Sequence, residues 1–202
     1  MGKSRTMGHI RAFLALSLPP RVREDLNTLQ QKIRPVLPPV NWVRPENVHV
    51  TLKFFGSITS DMVDQLFEAL RGMSSLVSPF SLNIQGIGVF PHTRSPRVLW
   101  AGLTGSVDRL LELQERIQMV LEPLGFPVEE KSFHPHVTLA RIKSDGGKVG
   151  RALTAGGVLE SQEVVSVLMV DRMVLYRSEI SSTGPRYKVL WSHPFVCSSE
   201  AV

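Results

Sequence analysis

The chain has 202 residues, 43% of them hydrophobic and 20% charged. This balance excludes global disorder and allows one ordinary domain or two small lobes on a shared core. No stretch approaches the roughly 18 uninterrupted apolar residues of a membrane span, and the net charge of +5 points toward polyanionic partners as a direction only.

The N-terminus is basic, but the apolar run from Ile10 to Leu16 is short and broken by Arg11. It lacks a small-residue cleavage site before Pro19-Pro20, so it reads as a first strand, Ile10–Leu18, rather than a signal peptide. A helix is predicted over Arg21–Ile33, with Pro20 at its start and Pro35 at its stop. Residues 36–40 form a Pro-rich linker. Val48–Phe55, ended by Gly56, reads as a strand. Ser60 or Asp61 is the predicted cap of a helix through Arg71, with Met62, Leu66, Ala69 and Leu70 on one face. Phe80–Phe90 and Arg97–Leu103 read as strands. Val107–Leu121 is an amphipathic helix, and the Pro123–Pro127 connector leads to a strand at His136–Ile142. A short helix at Val149–Ala155 follows, then a long β-prone run, Glu163–Tyr176, and a last strand, Tyr187–Val196. Residues 1–8 and 197–202 are expected to be flexible tails. The single cysteine, Cys197, fits a reducing, cytoplasmic setting, and without a Cys pair a structural zinc site has little to build from.

The chain repeats itself. Both halves read strand, helix, His-Val-Thr-Leu strand, helix, strand. Phe13 precedes Thr51 by 38 residues, and Trp100 precedes Thr138 by the same 38. Secondary structure alone would not establish duplication, since many α+β chains divide into similar pieces. The identical tetrapeptide at matching places, His49–Leu52 and His136–Leu139, does so.

In a strand, residues i and i+2 share a face. His49 and Thr51 therefore face one way, as do His136 and Thr138, while the alternate Val and Leu anchor each motif in the core. Packing about a pseudo-twofold axis would set the two pairs across a cleft. That constellation suits in-line displacement at phosphorus. Two imidazoles with ordinary pKa near 6.5 can remove one proton and deliver another, and threonine hydroxyls can hold non-bridging oxygens. One His-x-Thr alone is commonly just packing; two at equivalent positions are far more specific.

These residues resemble the two-histidine (2H) phosphoesterases, most closely the RNA 2′,3′-cyclic phosphodiesterase branch, historically called 2′-5′ RNA ligase. The resemblance covers most of the chain. It rests on Arg11–Leu16 with Pro19, on Trp42–Gly56, on Arg97–Trp100 and on Phe133–Arg141. Phe55 stands where the family's first motif often has leucine. The resemblance implies an α+β, bilobal, internally duplicated fold: two mainly antiparallel sheets flanked by helices, with a central cleft lined by both His-x-Thr motifs. It also implies hydrolysis of an RNA terminal 2′,3′-cyclic phosphate to a 2′-phosphomonoester by a monomer, with no cofactor, no metal, no membrane and no obligate protein partner. His49 would be the acid for the O3′ leaving group and His136 the base for water. Weak RNA joining is the reverse reaction. Alternatives are a small cyclic nucleotide or ADP-ribose cyclic phosphate as substrate, or a non-catalytic RNA-end-binding module. Two intact proton-transfer pairs argue against the last.

Two cations are candidate phosphate ligands. Lys53 shares parity with His49 and Thr51. Arg141 lies three residues after Thr138, so it needs a strand end or bulge to reach the cleft, and the resemblance favours that contact. His134 and His136 form a His-x-His pair, but Pro135 and the lack of acidic or cysteine ligands nearby argue against a metal. His9, His92 and His193 lack partners at motif spacing. The basic loop Pro91–Arg97 could follow an RNA backbone or simply be solvated. Trp42, Phe55 and Phe133 could stack on a base, with core packing the default for aromatics beside strands.

Overall fold

Five consecutive residues of the first strand, Ala12 to Leu16, are buried, as expected of a strand covered on both faces. In the computed structural model, which describes residues 9–182 and 184–196, this strand is β1 (Ile10–Ser17). It leads into α1 (Pro20–Ile33), where Pro20 occupies the first turn, which needs no N–H donor. β2 (Asn41–Trp42), β3 (His49–Ile58), α2 (Ser60–Ser74) and β4 (Phe80–Phe90) complete the first repeat. The second runs through β5 (Val98–Gly105), α3 (Val107–Leu121), β6 (His136–Arg141), α4 (Gly146–Ala155), β7 (Val164–Val170) and β8 (Arg172–Ser181), and β9 (Gly184–Pro194) ends the fold. The expected tails, 1–8 and 197–202, lie outside the described residues.

Most boundaries fall within three residues of those predicted, and four of the differences have a clear local reason. Thr59, rather than Ser60 or Asp61, caps α2, its hydroxyl accepting the Met62 N–H at 3.2 Å. α4 starts three residues early because Gly146 and Gly147, poor helix formers, hide its first turn. The run Glu163–Tyr176 is two strands. The chain leaves the sheet at Asp171, whose carbonyl accepts the Phe195 N–H at 2.7 Å, and β-propensity does not register such a crossing. β9 begins at Gly184, since Gly184-Pro185 reads as a turn although it opens the strand.

The expected two sheets are joined into one curled antiparallel sheet, β7-β4-β5-β6-β3-β1-β8-β9, with β2 added along β6. The joint between its halves is a single residue pair, Val50 opposite Val137. The sequence repeats do not each build one half. β4 from the first repeat pairs with β5, and β8 from the second pairs with β1, so the repeats exchange a strand. Helices reinforce the exchange. α1 lies against β7, where Ser166 donates a hydrogen bond to Asp25 at 2.7 Å. The buried Gln30 amide donates to Val43 O and Leu139 O, at 2.8 and 2.9 Å. One continuous core, from Leu14 through Val50, Leu99 and Val137 to Leu175, underlies both halves.

Both motif strands carry a bulge at the same place. Leu14 pairs with Lys53 and Ala15 with Thr51, leaving Leu52 extra. Leu99 pairs with Ala140 and Trp100 with Thr138, leaving Leu139 extra. The two bulges are 87 residues apart, as are His49 and His136. A bulge adds one residue and reverses the facing of everything after it.

Candidate active site

The joint dictates how the two motifs meet. Because Val50 and Val137 pair antiparallel, the positions flanking them are His49 beside Thr138 and Thr51 beside His136. Each histidine therefore sits across from the threonine of the other repeat. Val50 and Val137 point into the core, 1% and 0% exposed. Their four polar neighbours take the opposite face, and all four line one cavity of about 750 Å³.

Each imidazole is held the same way. His49 Nδ1 lies 2.7 Å from Asn47 O, and His136 Nδ1 lies 2.7 Å from His134 O. A carbonyl oxygen only accepts, so each Nδ1 carries the proton and each Nε2 keeps its lone pair. Asn47 is itself fixed by donating through Nδ2 to Pro185 O at 2.8 Å. The His134-Pro135-His136 sequence thus contributes a main-chain carbonyl, and among the described residues no three His, Cys, Asp or Glu side chains converge. Aromatic rings wall both sites. Phe13 lies 4.7 Å from His49, with Tyr187 edge-on at 5.4 Å. Phe90 stands edge-on to His136 at 5.1 Å, with Trp100 at 6.3 Å. Gly88 opposes Trp100, and a Cβ there would overlap the indole.

Burial in this setting disfavours the charged imidazole. His49 is lowered from 6.5 to about 4, chiefly by burial; its bond to Asn47 O opposes the shift, and the charges of Arg141 and His136 add to it. His136 is lowered for the same leading reason, opposed by His134 O. Burial also pushes the Tyr187 phenol up, so it keeps its proton as a donor at neutral pH.

The bulges decide which side chain beyond each threonine faces the cleft. The Leu139 bulge turns Arg141 into the cavity it lines, resolving the parity that strict alternation denied it. The Leu52 bulge does the reverse to Lys53. Alternation predicted a cleft-facing lysine, but Lys53 points away, 6% exposed. Its ammonium donates to Pro127 O and pairs with Glu129, both at 3.0 Å. Lys53 braces the connector before β6 and is not in the cleft. Phe54 takes the cleft position instead, 62% exposed. The duplicated frame thus places an aromatic ring after one motif and a guanidinium after the other.

Other lining residues lay beyond sequence reasoning. Arg34 and Tyr187 reach the cavity from α1's end and from β9, Arg44 and Lys143 from just outside the two motif strands, and no Asp or Glu is among its described lining residues. The Arg34 guanidinium lies over the Trp42 ring, 5.5 Å from its centroid. Of the aromatics considered for stacking, Trp42 lines the cavity. Phe55 is buried edge-on against Phe126 at 4.9 Å, and Phe133 packs on the core. His193 is buried between Phe67 and Trp191.

An internally duplicated antiparallel sheet carrying a His-x-Thr pair from each repeat on one cleft defines a two-histidine phosphoesterase. Residues 16–100 and 103–187 each match the family described as LigT like Phosphoesterase, and the chain belongs to it. It is 33% identical to the RNA 2′,3′-cyclic phosphodiesterase of Methanothermobacter thermautotrophicus, over 88% of this chain and 95% of that one. It is 32% identical to the Thermotoga maritima protein of the same name, over 92% and 96%. A crystal structure from Thermus thermophilus superposes with a TM-score of 0.76 at 28% identity, covering 94% of this chain and all of that one. No helix among the described residues is long and apolar enough to cross a membrane.

The two candidate cations should separate cleanly on substitution. Lys53→Met is expected to destabilise the fold by no more than about 1 kcal/mol, since the Pro127 carbonyl and the Glu129 carboxylate that it releases both lie on exposed residues, and to leave kcat nearly unchanged. Arg141→Met is expected to leave the melting temperature in place and lower kcat/KM on a cyclic phosphate by on the order of 10²-fold. Thermal melts beside steady-state kinetics check both. The opposite pattern would put Lys53, not Arg141, at the phosphate.

Proposed function

We propose that this chain hydrolyses the 2′,3′-cyclic phosphate at an RNA 3′ end to a 2′-phosphomonoester, with two histidines as its proton-transfer groups. One observation carries the reading. Across a single strand joint, each repeat sets an imidazole beside the threonine of the other on one wall of a cationic cavity. The names of the two relatives described above support the substrate class, as does a cavity lining with four basic side chains and no described carboxylate.

In this scheme His136 Nε2 takes a proton from water, and the water oxygen attacks phosphorus. The P–O3′ bond on the far side breaks, and O3′ takes its proton from His49. The phosphate stays on O2′, the 3′-hydroxyl is free, and solvent restores the two imidazoles to their starting protonation. Thr51 and Thr138 donate to the non-bridging oxygens, and Arg141 balances their charge. No cofactor enters. An RNA 5′-hydroxyl in place of water would give a 2′–5′ linkage by the same steps. The enzyme acts as a cytoplasmic monomer without an obligate protein partner.

The histidines differ in what they serve, so leaving-group chemistry separates them. On a cyclic phosphate both His49→Ala and His136→Ala should lose about 10²–10⁴-fold. On bis(p-nitrophenyl) phosphate, whose nitrophenolate departs without a proton, His49→Ala should lose much less than His136→Ala. Relief of His136→Ala instead would reverse the roles. Equal defects on both substrates would mean that neither residue acts as a separable acid or base.

The protonation of the pair sets a second expectation. The working form holds one proton between the two imidazoles, and its population peaks between the two macroscopic values of the pair. Both imidazoles are lowered from 6.5 in the free protein, His49 to about 4. The kcat/KM profile, which reports the free enzyme, should therefore peak below pH 6.5. A bound phosphate anion favours the protonated forms, so the kcat profile should be displaced to higher pH. A kcat/KM optimum above about pH 7 would contradict this arrangement.

A further inference from the structure

The second repeat carries basic side chains beyond the cleft. Lys143 lies on the cleft rim, two residues past Arg141. Its carbonyl accepts a hydrogen bond from the Arg97 guanidinium at 3.0 Å, and Arg97 O accepts the Ile142 N–H at 2.9 Å. These bonds tie the 91–97 loop to the end of β6. The same loop packs on α4 with unusual closeness. A Cβ at Gly150 would overlap Thr93 O, and one at Gly146 would stand 2.9 Å from Pro96 O. Only glycine permits that approach. It leaves a second cavity, about 400 Å³, lined by Thr93, Arg94, Gly147, Gly150, Arg151, Thr154 and Ala155. Arg94 and Arg151 face it from the loop and the helix. No carboxylate is among its described lining residues, and the nearby Asp145 is held by Lys148 at 2.9 Å.

From this arrangement we infer that the Arg94–Arg151 cavity is a second phosphate subsite, which takes a backbone phosphate of the RNA chain 5′ to the cyclic end. The inference rests on the RNA reading of the cleft and deepens it by naming the substrate as a polymer. Three features support it. The loop that lines the subsite is tied to the cleft rim by the hydrogen bond from Arg97 to Lys143 O. Guanidinium groups suit phosphate oxygens in paired geometry. A phosphate contact fixes register without reading sequence, so the subsite should be indifferent to base identity. A mononucleotide has no second phosphate to offer it.

The test compares the wild type with Arg94→Glu/Arg151→Glu, and with Arg94→Gln/Arg151→Gln as the milder pair. Substrates are a mononucleotide 2′,3′-cyclic phosphate and an octanucleotide ending in one, and binding of the octanucleotide is followed by fluorescence anisotropy against salt. The double variants should lose on the order of 10-fold or more in octanucleotide affinity and kcat/KM. The log–log salt slope should flatten by about 0.7, the share of one single-strand phosphate contact. Hydrolysis of the mononucleotide should stay at the wild-type rate. Equal losses on both substrates, or an unchanged octanucleotide slope in both variants, would overturn the subsite. Failure of the wild type to hydrolyse either substrate would instead overturn the proposed function, and the anisotropy series would still decide the subsite.

Discussion

Val50 and Val137 form the only pairing between β3 and β6, and the rest of the site is built outward from it. A longer ladder would hold the two strands flat, with their histidines at fixed ladder spacing and no room between them. With one pair, the half-sheets part on either side and leave a cavity over the joint. The pair is antiparallel, so it sets each imidazole beside the other repeat's threonine. Both valines are buried, and each contributes about 1.5–3 kcal/mol of apolar burial. The geometry of the cleft and the fusion of the two halves therefore rest on the same two side chains.

So narrow a joint needs support from elsewhere, and strand exchange supplies it. β4 and β8 each cross to the sheet half led by the other repeat's first strand. Gln30 adds a direct tie. Its amide, from α1, meets Leu139 O, which also accepts the Val43 N–H at 2.8 Å. Leu139 is the bulged residue that turns Arg141 inward. A residue of the first repeat thereby holds the feature that distinguishes the second. The symmetric frame supplies two alike imidazoles, and the matched bulges then make the cleft unequal, with Phe54 on one side and Arg141 on the other.

Much of this was legible in the sequence, and the exceptions have one physical character. His49, Thr51, His136 and Thr138 share one cleft face, as expected, because period-two alternation holds within three residues of regular strand. The duplication was visible because the tetrapeptide recurs at equal distance from Phe13 and Trp100. Alternation fails across a bulge, and a bulge carries no mark in Thr-Leu-Lys or Thr-Leu-Ala. Lys53 was therefore placed in the cleft, and Arg141 only became a candidate through resemblance. The exchange of β4 and β8 was invisible because pairing partners are set by tertiary contacts rather than local pattern. Tyr187 enters the cleft from β9, whose place beside β8 depends on that exchange.

The central claim is that the two imidazoles serve opposite sides of one phosphorus in a single displacement. The most direct measurement is stereochemical. One diastereomer of a 2′,3′-cyclic phosphorothioate is hydrolysed in ¹⁸O-water, and the configuration at phosphorus is read together with the position of the product phosphorothioate. The account predicts one ¹⁸O at phosphorus, inverted configuration, and the phosphorothioate on O2′ alone. Retention of configuration would require a covalent intermediate on the protein and would contradict it, as would a product carrying the phosphorothioate on O3′.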